Sequence, residues 1–350
     1  MDRRILFIAL LIGLMSFFSC LAAAFAPKGN EQGSSPGPSG AVIGERDYRI
    51  QLTWIREAGQ YGPGEYGRQL RHGGRSRYYQ VHVPRGYQPG RPTPVVLVLH
   101  GGGGNPDIVR YNSRIDETSD QHGFLAIYPA ATSPVFTDRL LFWNAGARPK
   151  SPKQRKIDDT AFIAAVLDDA AQYFSIDPKR VYATGLSNGA HMCYLLASKL
   201  SDRIAAIGPV AGQREVGQYA PPPPRPMPLI HFHGKKDTWA LFNGGHSNSD
   251  KSGFEEYEIA PAAAAVATWA KHNGCGQAPA ETRVGSALCV QYTGCQQNAD
   301  VVLWILDDGG HTWPGGRTTR TEDRAGVGKI NTDISASEEM WKFFESHPKP

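Results

Sequence analysis

The sequence predicts an α/β fold, a mostly parallel, doubly wound sheet with helices on both faces. Three observations predict it. Pro94-Val-Val-Leu-Val-Leu-His100 is a continuous apolar run, as expected of a parallel strand buried on both faces. Short apolar runs alternate with stretches of helical spacing, the pattern of successive β-α units. A chain of 350 residues, 41% hydrophobic and 20% charged, can bury a core of that size.

Taken in order, Met1-Asp-Arg-Arg4, an apolar run from Ile5 and an Ala-rich exit at Ala22-Ala-Ala24 have the layout of a secretory signal over 1–24. The alternatives are a membrane anchor through 5–26 or lipidation at Cys20. Residues 25–44, rich in Gly, Ser and Pro, read as a flexible leader, and 45–350 as a single domain. Export implies an oxidising compartment, so Cys275, Cys289 and Cys295 are disulfide candidates; Cys275 with Cys295 is favoured, and Cys193 reads as a small buried hydrophobe. The net charge of +4, from 37 basic and 33 acidic residues with no long block of one sign, gives no reason to expect nucleic acid as a partner. No obligate protein partner is evident either.

Residues 48–54 and 77–83 alternate sides and predict an antiparallel pair at the sheet's edge. After the central strand at 94–100 comes His100-Gly-Gly-Gly-Gly-Asn105, a loop whose backbone can approach a ligand and turn N–H groups toward it. A helix over 106–121 and a strand over 124–128 follow. The stretch 130–156 lacks periodicity and reads as a loop on the substrate side. A helix then opens at Asp158-Asp159, where carboxylates suit the N-terminus and its cap.

Val181-Tyr-Ala-Thr-Gly-Leu-Ser-Asn-Gly189 is the centre of the functional reading: a β-branched and aromatic run meets Gly185-x-Ser187-x-Gly189 and turns helical. A serine hydroxyl becomes a nucleophile when it is held exposed on a tight strand-to-helix turn with tiny neighbours. With 39 glycines in the chain, about 0.3 chance matches to the bare pattern are expected, so its context decides. The helix N-terminus offers the Asn188 N–H as one oxyanion donor, and the glycine loop offers that of Gly102, or else Gly103. Asp237 lies just past the strand Pro228-Leu-Ile-His-Phe-His-Gly234, and His311 follows the strand 300–306 on a glycine-rich turn. His311 is preferred over His246, which no strand fixes. His231 and His233 share a strand face without a third ligand, and no metal is expected. Further helices are predicted over 255–273 and 334–346.

The order Ser187, Asp237, His311 suits a serine nucleophile, a carboxylate that orients the imidazole and a general base, with no cofactor. Trp143, Trp239 and Trp313 are candidate substrate-binding residues.

Together His100-Gly-Gly-Gly-Gly-Asn105, Asp158-Asp159 with Phe162, Gly185-Leu-Ser-Asn-Gly189, His233-Gly-x-x-Asp237, Asn273-Gly-Cys275 and Gly310-His-Thr-Trp-Pro-Gly315 resemble the secreted polyhydroxybutyrate depolymerase-like esterases, relatives of feruloyl and acetylxylan esterases. The resemblance covers about 78–347. It implies an α/β-hydrolase fold and an extracellular carboxylic ester hydrolase acting on hydroxyalkanoate esters or oligomers. The alternatives are removal of feruloyl or acetyl groups from plant polysaccharide, and acyl transfer by the same fold. The 130–156 loop and the 243–254 insertion depart from the family pattern and are expected to border the substrate cleft.

Overall fold

An antiparallel edge leads the fold. In the computed structural model, which describes residues 48–133, 140–146, 153–218, 220–246, 258–276 and 278–350, this edge comprises β1 (Thr53–Trp54), β2 (Gly64–His72) and β3 (Arg75–Val83). β3 pairs antiparallel with β2 across the Gly73-Gly74 turn, both glycines at positive φ, whereas β1 is two residues long and runs parallel to β2. The expected partnership of 48–54 with 77–83 is therefore replaced. The intervening 64–72, whose glycines and charges hide its alternation, is the strand that pairs with β3.

β4 (Thr93–Leu99) is followed by α1 (Pro106–Ser113), α2 (Ile115–His122) and β5 (Leu125–Pro129). The helix expected over 106–121 is broken at Arg114, which adopts φ 56° between the two helices. Next come α3 (Asp159–Ala170), β6 (Ile176–Leu186), α4 (Asn188–Lys199), β7 (Ala206–Val210) and β8 (Leu229–Gly234). Asp158 caps α3 as expected, its side chain accepting from the Ala161 N–H at 2.8 Å. A two-strand ladder, β9 (Gly245–His246) with β10 (Glu258–Ile259), precedes α5 (Ala262–His272). The hairpin β11 (Ala280–Val284) and β12 (Ala287–Tyr292), unforeseen from sequence, then leads to β13 (Val301–Leu306), α6 (Arg320–Arg324) and α7 (Ala336–Glu345).

The main sheet has the order β1-β2-β3-β5-β4-β6-β7-β8-β13-β12-β11, parallel from β5 through β13 and antiparallel near both edges. Side chains of β4 alternate between two cores. Val95, Leu97 and Leu99 pack with Phe162 of α3, Leu196 of α4 and Trp269 of α5, while Val96 and Val98 pack on the face that holds Val109, Trp341 and Phe344. This is the doubly wound α/β-hydrolase arrangement. Tyr182 stacks on Phe344, centroids 4.7 Å apart, which adds about 0.5–1.5 kcal/mol beyond area burial. Cys275 and Cys295 form the expected disulfide; closing a loop 20 residues apart in sequence restricts the unfolded chain by about 3 kcal/mol. Cys193 and Cys289 are buried free thiols.

All these elements belong to the unit Glu45–Pro350. The signal, leader and Cys20 readings lie outside the described residues, as do parts of the two loops expected to border the cleft. Among the described residues no helix is long and apolar enough to cross a membrane.

Candidate active site

β6, β8 and β13 are parallel, with only β7 between β6 and β8, so the residues that follow them emerge at one edge of the sheet. Ser187 follows β6, Asp237 follows β8 and His311 follows β13.

Ser187 has φ 56° and ψ −114°, a region that costs a non-glycine residue on the order of 1–3 kcal/mol. Its surroundings hold it there. The Ser187 N–H donates to the Val210 carbonyl at 2.9 Å, and the His191 N–H donates to the Ser187 carbonyl at 3.0 Å. The flanking glycines are required by contact: a Cβ on Gly185 would meet the Leu99 oxygen at 2.7 Å, and one on Gly189 would meet it at 2.2 Å. The elbow is thus jammed against the end of β4, which brings the glycine loop beside it.

Asp237 is buried, and every oxygen is engaged. Oδ1 accepts from the Trp239 and Ala240 amides, each at 2.8 Å, and Oδ2 lies 2.7 Å from His311 Nδ1. Burial pushes the carboxyl up, but the facing His311, its hydrogen bond, His233 and the Ala240 amide outweigh this and hold it below its ordinary value. Asp237 is therefore an anion aimed at Nδ1, which leaves His311 Nε2 as the nitrogen able to take a proton. His311 is near enough to His191, on the helix that Ser187 opens, to add to the lowering that burial imposes there. The Ser187 hydroxyl makes no hydrogen bond among the described residues. The closed pair is Asp237–His311 rather than Ser187–His311.

On the opposite side the 100–105 loop folds over the elbow. The Gly103 N–H donates to the Leu141 carbonyl at 2.9 Å and that of Gly104 to Gly101 at 3.0 Å, whereas the Gly102 and Asn188 amides carry no hydrogen bond among the described residues. Asn188 contributes through its side chain as well. Oδ1 accepts from the Trp143 N–H at 2.7 Å and Nδ2 donates to the Trp143 carbonyl at 3.2 Å, while Trp143 Nε1 donates to the His100 carbonyl at 3.0 Å. His100 is buried, which lowers it to about 4; its neutral ring bonds the Gly101 carbonyl through Nδ1 and accepts from the Ala131 N–H at Nε2. Next along the loop, the Asn144 N–H donates to Asp159, which pairs with Arg77 at 2.7 Å.

Of the three candidate substrate-binding tryptophans, the structure removes two from any accessible surface. Trp143 is 0% and Trp313 1% exposed, because the first fills the space between His100 and Asn188 and the second bonds Ser337 in the core beneath α7. Trp239 is half-buried and stacks on His311, centroids 6.1 Å apart. The aromatic that sequence reasoning missed is Phe142. Half-buried, it lies so near Gly102 that a Cβ there would be 3.2 Å from the ring.

His231 and His233 bond each other at 3.1 Å instead of leaving a pair of converging lone pairs. Among the described residues one cluster has metal-ligand spacing, Glu65, His82 and Asp116, but its members are already partnered: His82 Nδ1 lies 2.7 Å from Glu65 Oε1, and the Arg110 guanidinium pairs with Glu65 Oε2 at 2.5 Å and Asp116 Oδ2 at 2.7 Å.

A family model described as esterase PHB depolymerase matches residues 77–218, which span the central strand, the glycine loop and the Ser187 elbow. Over that stretch the chain resembles this esterase family. NocK, named as an esterase, from Nocardia uniformis subsp. tsuyamanensis is 27% identical over 289 residues, covering 77% of this chain and 79% of NocK. Feruloyl esterase B from Piromyces equi is 27% identical over 245 residues, and there the match takes in 66% of this chain but only 42% of the relative. The crystal structure of native pOPH superposes with a TM-score of 0.52 at 13% identity, over 83% of this chain and 89% of that one, a likeness of fold. The esterase is a carboxylic ester hydrolase.

Proposed function

We propose that this esterase works through an acyl-enzyme on Ser187. His311 Nε2 takes the Ser187 proton as Oγ attacks the ester carbonyl, and Asp237 orients the imidazole and stabilises the imidazolium. The Asn188 and Gly102 amides receive the oxyanion. Its collapse breaks the acyl–oxygen bond, and His311 returns the proton to the leaving alkoxide. Water, deprotonated by His311, then releases the acid and regenerates Ser187. The observation that carries this reading is the 2.7 Å contact of Asp237 Oδ2 with His311 Nδ1, at the strand edge where Ser187 sits at φ 56°.

The substrates are esters and oligomers of hydroxyalkanoic acids, a reading supported by the family's description. The domain 45–350 acts outside the cell after removal of 1–24, a reading supported by the basic, apolar and small-residue order of that segment. A second reading, cleavage of feruloyl esters, is favoured by the two half-buried aromatics Phe142 and Trp239, beside Gly102 and His311 respectively, and by the likeness to feruloyl esterase B. The test compares the parent with Ser187→Ala on p-nitrophenyl butyrate, hydroxybutyrate oligomers and methyl ferulate. Turnover by the parent alone is expected, with the oligomers preferred. Equal turnover by the variant refutes the acyl-enzyme, and preference for methyl ferulate moves the substrate to the second reading.

A further inference from the structure

The steps above leave two buried histidines of β8 unused. His231 and His233 are 0% and 1% exposed, and their rings stack with centroids 5.3 Å apart. Their nitrogens belong to one chain of hydrogen bonds with a single direction. At its near end His233 Nε2 lies 2.7 Å from the Ala240 carbonyl, which can only accept, so Nε2 carries the proton. Burial lowers His233 despite the nearby Asp237 charge, so the ring is neutral and Nδ1 is bare. His231 Nε2, 3.1 Å from that Nδ1, must then donate, and His231 Nδ1 accepts from the Tyr194 hydroxyl at 2.9 Å. The Arg214 backbone bonds the same hydroxyl, in keeping with Tyr194 giving its own proton to His231.

The chain ends at the proposed catalytic acid. Ala240, whose carbonyl His233 grips, is also one of the two residues whose amides hold Asp237 Oδ1. His233 Nε2 is itself 3.5 Å from Asp237 Oδ2, the oxygen that faces His311. We propose that His233, backed by His231 and Tyr194, is a positioning residue for the Asp237–His311 pair, fixing the turn that aims the Asp237 carboxylate at Nδ1. The inference rests on the acyl-enzyme reading. The imidazolium formed during attack is stabilised over the 2.7 Å contact, and an error of about 1 Å in such a contact costs on the order of a hundredfold in rate. The titratable groups facing the two rings are Asp237, His311, His191 and Tyr194, with Arg214 bordering Tyr194 and His191 in turn.

The test uses the parent, Tyr194→Phe, His233→Leu, His233→Gln and Ser187→Ala on p-nitrophenyl butyrate. It measures kcat and KM from about pH 5 to 9, thermal midpoints, and the low-field proton resonance of His311 Nδ1. His233→Leu is expected to lose kcat by about ten- to a hundredfold at nearly constant KM. Its acid limb should move to lower pH, because a misaimed carboxylate stabilises the imidazolium less, and the low-field resonance should disappear. His233→Gln, with an amide N–H for Ala240, should recover part of all three. Tyr194→Phe should shift the limb in the same direction and lower kcat about threefold. A folded His233→Leu with a lower thermal midpoint but parental kcat and acid limb overturns the proposal. If that variant does not fold, an unmoved limb and kcat in Tyr194→Phe overturn it. Turnover by Ser187→Ala would instead refute the acyl-enzyme itself; an inert Ser187→Ala beside parental limbs in the other variants refutes only the role of His233.

Discussion

Replacing Gly189 by alanine tests whether close backbone approach builds the site. The added methyl would stand 2.2 Å from the Leu99 carbonyl oxygen and 2.7 Å from that of His100, separations that real Cβ atoms essentially never show. Neither obstacle is a side chain that can turn aside. The end of β4 and the start of α4 must therefore part by roughly 1 Å, an overpacking that costs about 1–3 kcal/mol. Alanine's better helix propensity offsets up to about 1 kcal/mol of this. A net loss of about 1–2 kcal/mol in a unit of this size, Glu45–Pro350, corresponds to a thermal midpoint about 2–3 °C lower. The effect on rate is larger, because Leu99 and His100 lead directly into Gly101-Gly102, and a displaced oxyanion donor costs about a hundredfold or more in kcat. Thermal unfolding and kcat on p-nitrophenyl butyrate measure both. A Gly189→Ala protein with kcat within about threefold of the parent and a midpoint within about 1 °C would refute the reasoning.

Asp237→Asn keeps the size of the side chain but removes its charge and, through the amide, favours the wrong His311 tautomer; kcat should fall by about 10⁴ with little change in KM, and a loss below about tenfold would count against Asp237 as the orienting acid. His82 governs a pH dependence of stability remote from the candidate site. Burial lowers its pKa, but Glu65 at 2.7 Å together with Asp116 outweighs that and raises it overall. Because the folded value lies above the unfolded value of about 6.5, the charged ring's contribution is complete below that pH and is lost as pH rises through the folded value. His82→Gln should therefore lower the thermal midpoint most near pH 6 and least near pH 9; the opposite trend would remove His82 from that role.

The central strands and the elbow were legible because their physics is local. A two-sided buried strand must be apolar throughout, and a serine pressed against β4 must have glycine on both sides, so Val95–Leu99 and Gly185–Gly189 carry their roles in their own composition. The placement of Asp237 and His311 was legible for a related reason, since each follows a short strand whose aliphatic and aromatic residues mark it as buried. The edges were not. Which strand pairs with β3 depends on the tight Gly73-Gly74 turn bringing 64–72 alongside, and the exposed residues of β11 give no alternation to read. Arg114 breaks its helix at a residue type that gives no warning of a positive φ.

The loop between β5 and α3 shows where composition stops being informative. Phe142 and Trp143 are adjacent aromatics, and sequence alone favoured the larger as a substrate contact. The structure inverts the choice: Trp143 is sealed because its indole N–H bonds His100 and its main chain fills both hydrogen-bonding groups of the Asn188 side chain, which leaves Phe142 as the ring against Gly102. The inversion follows from the elbow itself. A helix that begins at Asn188 directs its first amides outward, so the Asn188 side chain is free to clasp a neighbouring strand of backbone, and the loop it clasps is the one that covers the glycine turn. Asn188 thereby joins the two halves of the proposed oxyanion site, its own amide on one side and, through Trp143 and His100, the Gly101-Gly102 backbone on the other. The loop without periodicity is the part of the chain whose conformation is dictated by the residues it serves, which is why no regularity of its own could have announced it.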